Sequence, residues 1–154
     1  MIKFEVVERF INSAFKIQLP KRQTKYAAAY DFCAAQSISI PPLKDKTDTK
    51  PTLIPTGIKI KMPGDICLII NNRSSGPKRG LVLANGVGII DADYYNNEDN
   101  DGEIFFAFYN INDTTTFIQQ GERIGQGYFQ QVIYCDDDKP EGRKRESGYG
   151  STGA

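Results

Sequence analysis

Apolar and polar residues alternate with a period of two along most of this chain, a pattern that strongly restricts the folds open to it. Every second residue is apolar in the segments 2–6, 15–19 and 58–62, as expected for strands with one face in water. The segments 66–70 and 103–109 are almost continuously apolar, which is typical of strands buried on both faces. Because turns rich in Gly, Pro and Asn separate these segments, we predict an all-β fold, a barrel or a jelly roll.

The chain divides into one domain and a tail. Its 154 residues are enough for a single domain with a sizeable core. We predict that this β-barrel domain spans residues 1–135, with one short helix near residues 77–81. Residues 136–146 are almost all charged and indicate a flexible linker, and residues 147–154 combine Gly, Ser and Thr around one tyrosine. Such a Gly-rich end is either a disordered terminus or a segment whose backbone N–H groups wrap phosphates.

Charge and cysteine content restrict the partners and the compartment. The 19 basic and 19 acidic residues give no net charge, which argues against direct binding to nucleic acid, because a dedicated DNA-binding domain carries a basic excess. Cys33, Cys67 and Cys135 form no C-x-x-C pair, so we expect free thiols in a reducing cytoplasm. No run of about 18 apolar residues occurs, so we expect no membrane-spanning helix and a cytoplasmic protein.

The sequence contains no histidine, which narrows the possible chemistry. This absence excludes a Ser-His-Asp triad, a Cys-His pair and a histidine-based zinc site. Proton transfer near neutral pH therefore falls to a carboxylate, a lysine, a tyrosine or a cysteine.

The segment 86–94 combines several features of a functional site. An apolar run with two glycines ends in Asp91, and Asp93 and Tyr94 follow. We interpret the segment as a short buried strand or hairpin that brings a carboxylate and a flat ring to one place. Gly86 and Gly88 lack Cβ, so another molecule can approach the backbone there. The alternative is a hairpin that merely ends in a surface aspartate.

Four further clusters contain residue types suited to phosphate or nucleotide binding. Each by itself is typical of an ordinary turn or strand end. They are Tyr30-Asp31, Arg73-Ser74-Ser75-Gly76, the turn 121–126 and the tail segment 148–153. In this order, with the segment 86–94 as the third of five, they resemble the five motifs of the trimeric deoxyuridine triphosphatases (dUTPases). The resemblance extends from about residue 27 to residue 153 and so covers nearly the whole chain.

The resemblance implies a distorted jelly-roll β-barrel of the dUTPase type. Three copies would form a homotrimer with exchanged C-terminal segments, and each active site would draw residues from all three chains. The expected reaction is the Mg²⁺-dependent hydrolysis of dUTP to dUMP and pyrophosphate, by in-line attack of water on the α-phosphate. Its expected role is to keep uracil out of DNA and to supply dUMP for dTMP synthesis.

The resemblance assigns the catalytic and nucleoside-binding roles to the third motif. Asp91 matches the carboxylate that activates the attacking water, a general-base role worth about 10²–10⁴ in rate. Tyr94 matches the ring that packs against the deoxyribose and leaves no room for a 2′-hydroxyl group. Asn85 matches the residue that helps to read uracil, and Gly88 would allow the backbone of this segment to approach the base.

The second and fourth motifs would supply phosphate contacts. Arg73 and Ser74 match residues at the α- and β-phosphates, where the planar fork of an arginine engages phosphate oxygens in pairs. Ser75 and Gly76 would complete that turn. Gln126 matches the fourth-motif residue that bonds the phosphate chain.

The first motif and the tail complete the expected site. Asp31 matches the acid that holds Mg²⁺ through ordered water, with the metal mainly on the triphosphate. The tail would close over the nucleotide as a lid, with Tyr149 in place of the family's usual Phe stacking on uracil. Ser151 and Thr152 would bond the γ-phosphate. The substrate-binding residues expected in the tail are Arg145 (with Arg143 and Lys144 as alternatives), Tyr149, Gly150, Ser151 and Thr152.

Two loops depart from the family pattern. Ala29 and Tyr30 precede Asp31, where the family usually has a glycine nearby. Residues 95–101 separate Tyr94 from the Gly-Glu pair that normally follows it closely. We predict that the wholly polar stretch 96–101 is a solvated insertion, without the ligand spacing of a calcium loop, and a possible contact for a protein partner.

Two alternative functions remain open from the sequence. A dCTP deaminase on the same scaffold shares the Arg-Ser-Ser motif but as a rule lacks the pairing of an Asp91-like base with a Tyr94-like ring. A phage-type regulatory dUTPase would bind a repressor partner through the insertion 96–101. Release of ammonia from dCTP would identify the first, and a specific protein partner lost with the insertion would identify the second.

Overall fold

The computed structural model describes residues 1–142 and Gly148. These residues form eleven β-strands, one single-turn α-helix and three short 3₁₀ helices. The strands are β1 (Lys3–Val6), β2 (Tyr30–Cys33), β3 (Ile38–Ile40), β4 (Thr52–Pro55), β5 (Ile58–Lys61), β6 (Ile66–Asn71), β7 (Leu81–Leu83), β8 (Gly88–Ile90), β9 (Phe105–Asn110), β10 (Thr116–Ile118) and β11 (Arg123–Gln131). The helix α1 comprises Glu8–Ile11, and the 3₁₀ helices comprise Leu43–Asp45, Pro77–Arg79 and Ala92–Tyr94.

Strands that are distant in sequence pair with one another, and every ladder between these strands is antiparallel. The largest sheet has the strand order β2-β11-β6-β8, and a second has the order β4-β9-β7. Two-stranded sheets, β1-β5 and β3-β10, complete the set for the described residues. Successive strands therefore pass from one sheet to another around a shared core, and the predicted all-β fold is confirmed.

Inward-facing residues of the alternating segments form the core. In β5, Ile58 and Ile60 are each 1% exposed, whereas Lys61 lies in water. In β9, Phe106 and Phe108 are buried with their ring centroids 6.4 Å apart. Burial of each such side chain contributes about 1.5–3 kcal/mol, so these positions hold the sheets together.

The segment 15–19 does not form the predicted strand. Ile17 is buried, but Leu19 is 46% exposed, and no ladder reaches this segment within the described residues. The nearest pairing is the isolated bridge between Lys21 and Asp31. The alternation here therefore reflects a segment without a ladder, in which Ile17 joins the core and the half-buried Phe15 packs against it. The helix α1 was not predicted either, because four residues are too few to show a helical period.

The short helix expected near residues 77–81 is present as the 3₁₀ helix Pro77–Arg79. Pro77 begins it with a fixed φ, and Gly80 ends it in the left-handed conformation at φ 71°. Over the residues that the structure describes, no helix is both long enough and apolar enough to cross a membrane. The last strand ends at Gln131, and the division into residues 1–135 and 136–154 stays a prediction.

Candidate active site

The segment 86–94 contains the short strand β8 and does not form a hairpin with the strand before it, because the two strands belong to different sheets. Its strand β8 pairs with β6, whereas the preceding strand β7 pairs with β9. The turn between them needs a left-handed residue, Gly86, at φ 73°. At Gly88 a Cβ atom would lie 2.6 Å from Cγ1 of Ile70, so a side chain there would push β8 away from β6.

This turn and strand line a cavity of about 140 Å³, which we call the β8 cavity. Apolar residues form much of its lining, among them Ile70, Leu83, Ile90, Phe105 and Ala107. The four residues that the sequence assigns to catalysis and to nucleoside binding also belong to the lining: Asn85, Gly88, Asp91 and Tyr94. The structure therefore brings this predicted group together in one apolar recess with a few polar groups, the usual composition of a small-molecule site.

Asp91 follows β8 directly and precedes the 3₁₀ helix Ala92–Tyr94, to which its side chain gives no capping hydrogen bond. Because Ile90 pairs with Leu68, the carboxylate lies close to Cys67 of β6. Burial raises the pKa of the Cys67 thiol, and the negative charge of Asp91 raises it further. Asp91 also lines a shallow groove on the side of Cys67 and Tyr134. Asp91 therefore belongs to the lining of both the β8 cavity and this groove.

Tyr94 is the largest polar side chain in the β8 cavity and is only 4% exposed. Its hydroxyl group donates a hydrogen bond to the carbonyl oxygen of Glu103 at 2.7 Å. The same hydroxyl oxygen accepts a hydrogen bond from Nδ2 of Asn100, also at 2.7 Å. The ring is thus fixed at its far end as well as at its backbone.

The insertion 96–101 is solvated at Asn96, Glu98 and Asp99, as its composition predicts, but not along its whole length. Asn97 is 6% exposed, and its Nδ2 donates to the backbone oxygen of Tyr94 at 2.8 Å. Its Oδ1 accepts from the backbone N–H groups of Asp99 and Asn100. Because these amide groups satisfy the turn internally, a wholly polar segment packs against the domain.

The N-terminal residues hold this insertion from the other side. The backbone N–H group of Glu8 donates to Oδ2 of Asp101 at 2.9 Å, and Lys59 pairs with Oδ1 of the same side chain at 2.7 Å. Arg9 makes two hydrogen bonds, of 2.7 and 3.0 Å, with the buried carboxylate of Glu103. That carboxylate also accepts from the backbone N–H group of Gly57. Its charge is therefore paired and hydrogen-bonded, as a buried carboxylate requires.

A second group of predicted residues lies at the end of the β2-β11-β6 sheet, and we call it the arginine cluster. Nη1 of Arg123 donates to Oδ2 of Asp31 at 3.1 Å, and Nε of Arg73 lies 4.0 Å from Oδ1 of the same carboxylate. Nη1 of Arg73 donates to Oγ of Ser75 at 3.3 Å and to the backbone oxygen of Arg123. Sequence reasoning assigned no role to Arg123, although the turn 121–126 contains it. The feature that could have identified Arg123 is its positive charge in the same turn as Gln126, a residue predicted to bind phosphate.

The strand register explains why Gln126 joins the arginine cluster. In the central strand β11, Gln126 pairs with Asp31 on one side and with Asn71 on the other. Its Nε2 donates to the backbone oxygen of Asn72 at 3.2 Å. Gly76 is needed in the adjoining turn because a Cβ atom there would lie 1.9 Å from Oδ1 of Asn72.

The β8 cavity and the arginine cluster are separate places in one chain. A small cavity of about 10 Å³ next to the arginine cluster has Arg73, Ser75, Gly76 and Arg123 in its lining and shares no residue with the β8 cavity. Ser74 lies exposed beside it. The structure thus gathers the predicted residues into two groups rather than one.

Only one residue of the predicted lid belongs to the described part of the chain. Gly148 lines the β8 cavity, and a Cβ atom at this position would lie 2.7 Å from Cε2 of Tyr94. The other predicted tail residues lie outside the described residues: Arg145, Tyr149, Gly150, Ser151 and Thr152. The two alternatives to Arg145, which are Arg143 and Lys144, lie outside them as well.

No protein cage for a metal ion is present in the described residues, since they contain no group of three or more His, Cys, Asp or Glu side chains that could hold one. Asp31 nevertheless fits a hydrated ion. Of the arginines that the structure describes, Arg123 lies within hydrogen-bond distance of its Oδ2, and Arg73 makes a longer contact of 4.0 Å with its Oδ1. A single carboxylate that acts through water suits Mg²⁺, which keeps most of its waters and binds phosphate oxygens.

The sequence matches the family model described as dUTPase over residues 16–153. The deoxyuridine 5'-triphosphate nucleotidohydrolase of Lactococcus lactis subsp. lactis (strain IL1403) is 44% identical over 153 residues, which are 98% of this chain and 97% of that protein. The crystal structure of dUTPase from Streptococcus mutans has a TM-score of 0.77 at 38% identity and covers 86% of this chain and 98% of its own.

A more distant likeness is to a mutant of the dUTPase from phage phi11 of S. aureus, whose structure reveals the coordination of a structural Mg(II) ion. Its TM-score is 0.67 at 16% identity, with coverage of 92% of this chain and 97% of that one. At this identity the likeness concerns the fold alone.

Proposed function

The chain belongs to the dUTPase family and hydrolyses dUTP to dUMP and pyrophosphate, and from this premise we propose how its residues divide the work. Its fold is of the jelly-roll type. The β8 cavity holds the deoxyuridine, and the arginine cluster of a neighbouring copy holds the phosphates. One observation carries this assignment: Asn85, Gly88, Asp91 and Tyr94 converge on a single apolar recess.

Asp91 is the general base. Its carboxylate takes a proton from a water molecule while the water oxygen forms a bond to the α-phosphorus. The bond from that phosphorus to the oxygen bridging it to the β-phosphate breaks, and pyrophosphate leaves with the electron pair. The placement of Asp91 supports this role, because it lies at the end of β8, in the lining of the cavity and open to a second groove on the side of Cys67.

Tyr94 and Asn85 select the nucleoside. The buried ring of Tyr94 packs against the deoxyribose and leaves no room for a 2′-hydroxyl group. Asn85 lies in the turn before β8 and presents its amide to the uracil edge. Gly88 belongs to the same lining, where its lack of a side chain leaves room for Ile70 of β6.

The phosphates bind to the arginine cluster. Arg73 and Ser74 contact the α- and β-phosphates, Ser75 and Gly76 shape the turn, and Gln126 bonds the phosphate chain. We add Arg123 to this set because its guanidinium group shares the Asp31 carboxylate with Arg73. Two guanidinium groups at one carboxylate suit the bidentate recognition of phosphate oxygens.

The proposed cofactor of this hydrolysis is Mg²⁺, and Asp31 would hold the ion through water. When bound, the ion neutralises charge on the triphosphate and on the departing pyrophosphate. Support comes from Asp31, whose Oδ1 is 4.0 Å from Nε of Arg73, and from the match to the dUTPase family.

Three copies of the chain assemble into a homotrimer with exchanged C-terminal segments. The separation of the β8 cavity from the arginine cluster supports this arrangement, since a triphosphate must reach both. A row of apolar side chains, Tyr128, Ile69 and Ile89, also crosses the outer face of the large sheet, where Ile89 is 61% exposed. Such a row suits burial against another copy. Light scattering on the purified protein measures the mass directly, and a monomer would contradict the arrangement.

The tail closes the site. Arg145 and the segment 149–152 would bind the nucleotide from above, with Tyr149 on the uracil and Ser151 and Thr152 on the γ-phosphate. Gly148 lies against the Tyr94 ring of its own chain, which supports a tail that reaches a β8 cavity, and exchange between copies would put the equivalent glycine of a neighbour in this position.

The decisive experiment measures pyrophosphate release from dUTP, dCTP, dTTP and UTP, each with and without Mg²⁺. We expect rapid release from dUTP only, and only with the metal. Ammonia release from dCTP would indicate the deaminase instead, an alternative that the comparisons do not support. Three free cysteines fit a cytoplasmic place of action, where hydrolysis of dUTP keeps uracil out of DNA and supplies dUMP.

A further inference from the structure

We propose that Asn100 is a positioning residue that sets how strongly this protein rejects ribonucleotides, because it clamps the hydroxyl group of Tyr94. The proposal rests on the proposed function of Tyr94 as the ring that faces the sugar. According to this proposal, the insertion 96–101 contributes to substrate selection through hydrogen bonds within the same chain.

The clamp has two ends. At the far end of the ring, the Tyr94 hydroxyl donates to the Glu103 carbonyl oxygen and accepts from Nδ2 of Asn100, both at 2.7 Å. At the near end, Nδ2 of Asn97 donates to the backbone oxygen of Tyr94 at 2.8 Å. The ring is therefore anchored at its phenolic oxygen as well as through its own Cβ.

The amide of Asn100 is itself held in one orientation. Its Oδ1 accepts from Nδ2 of Asn97 at 2.8 Å and from the backbone N–H group of Gly102 at 3.1 Å. Two donors at the oxygen leave Nδ2 to face the Tyr94 hydroxyl. The segment that contains Asn100 is tied to the domain by Asp101, which bonds Lys59 and the backbone of Glu8. The donor is thus presented by a rigid support.

The Tyr94 ring can exclude a 2′-hydroxyl group by steric hindrance only if the ring itself does not move. A tyrosine ring that is fixed only at Cβ can tilt about its side-chain torsions at modest cost, which would open space for one more oxygen atom. Hydrogen bonds at the phenolic oxygen oppose that tilt. The deoxyribose of dUTP needs no such space, so the clamp acts on the choice between dUTP and UTP.

The test replaces Asn100 by aspartate. Asn100→Asp keeps the size of the side chain and the oxygen that accepts from Gly102, but removes the N–H group that reaches Tyr94. The tyrosine hydroxyl has one hydrogen, so it keeps one of its two hydrogen bonds. We expect the ratio of kcat/KM for dUTP to that for UTP to fall about five- to tenfold, mainly because UTP turnover rises.

Asn96→Asp is the matched control. It adds the same charge to the same segment, its Oδ1 already accepts from Lys59 at 2.6 Å, and Asp tolerates the left-handed φ of 55° found there. We expect an unchanged ratio. Tyr94→Phe, which removes the hydroxyl and keeps the ring, should lower the ratio by itself, and adding Asn100→Asp should then change nothing further.

Three results would overturn the proposal: an unchanged ratio in Asn100→Asp, an equal fall in Asn96→Asp, or falls that add in the double variant. If Asn100→Asp does not fold, Tyr94→Phe decides, since an undiminished rejection of UTP there leaves the clamp without a role. Failure of the proposed function is seen separately, as absence of pyrophosphate release from dUTP by the unaltered protein.

Discussion

The β8 cavity and the arginine cluster differ in how much of their structure exists before a ligand arrives. The β8 cavity is an apolar recess of about 140 Å³ whose polar wall, Tyr94, is buried and hydrogen-bonded. The arginine cluster encloses only about 10 Å³, and the charges of Arg73 and Arg123 are partly in water and paired with Asp31. Before a ligand binds, the β8 cavity already has a defined shape, whereas the arginine cluster has charged groups but little enclosed volume.

This difference fits the part of the nucleotide that we propose for each region. Rejecting a single extra oxygen atom requires walls that hold their position, and burial with complete hydrogen bonding supplies them. Phosphate recognition depends on charge and on planar donors, which can exchange one anion for another when the ligand binds. Guanidinium groups paired with a carboxylate are therefore a sufficient starting point for the second task.

The largest expected effect is at Asp91, the residue of the β8 cavity that would act on the α-phosphate. Asp91→Asn keeps the shape of the side chain but removes the base, so we expect dUTP turnover to fall by about 10²–10⁴. Binding of a non-hydrolysable dUTP analogue, measured by calorimetry, should stay close to that of the unaltered protein. Lost binding would instead assign Asp91 a structural part in the β8 cavity.

Removal of the tail should have the next largest effect. A chain that ends after Lys139 retains all eleven strands but loses Gly148 and the residues proposed to bind the nucleotide. We expect kcat/KM for dUTP to fall about a hundredfold, because several charge-assisted hydrogen bonds are lost together. Thermal unfolding should be nearly unchanged. Full activity of the shortened chain would mean that the tail does not close the site.

Loss of Arg123 tests whether the arginine cluster works through charge. Arg123→Ala removes one of the two guanidinium groups at Asp31, so we expect KM for dUTP to rise about tenfold with the dUTP-to-UTP ratio unaltered. Arg22→Ala is the control, because within the described residues the Arg22 guanidinium donates to nearby backbone oxygens, those of Lys25 and Ala27. A changed sugar preference in Arg123→Ala would break the division between charge and shape.

The smallest expected effect concerns the support of the insertion. The Tyr95 hydroxyl donates to Oε2 of Glu5 at 2.6 Å, and this hydrogen bond lowers the pKa of Glu5 below its usual 4.5 and raises the pKa of Tyr95 above 10.0. The Glu5 contribution to stability is therefore complete above pH 4.5 and is lost as the pH falls through the lowered pKa. The Tyr95 contribution is complete below pH 10.0 and is lost as the pH rises through the raised pKa.

The Glu5–Tyr95 pair lies near the surface, so we expect Glu5→Gln to cost less than about 0.5 kcal/mol of unfolding free energy at pH 7. Chemical denaturation of both proteins between pH 3 and 7, a range of about four units around the carboxylate pKa, measures the difference. The gap between the two proteins should narrow towards acid pH. A constant gap over that range would contradict a contribution from the ionised carboxylate.

The sequence predicts the parts of this molecule that are set by local pattern. The alternation in residues 58–62 identifies β5, and the motif around Asp91 identifies residues that do share one cavity. It fails where the deciding contact is distant in sequence. Asn97 bonds only within its own turn in the described residues, and the contact that ties this turn to the rest of the domain joins Glu8 to Asp101, 93 residues away.

The same reasoning explains the other differences. Segment 15–19 alternates like a strand but finds no ladder among the described residues, and Arg123 gains its meaning only when β11 places it beside Asp31. A pattern along the chain indicates which face of a segment is apolar. It does not indicate which other segment will meet that face. The predicted protein partner at residues 96–101 and the roles of the tail residues stay predictions.

The pairing of Arg9 with Glu103 has a consequence for the order of events during synthesis. These residues lie 94 positions apart, so the ion pair between them cannot form until more than a hundred residues have been synthesised. Until then, Arg9 has no buried carboxylate to meet, and the support behind Tyr94 is incomplete. A fragment truncated before that point would therefore lack Phe105 and Ala107 of the β8 cavity, however well its early strands had paired.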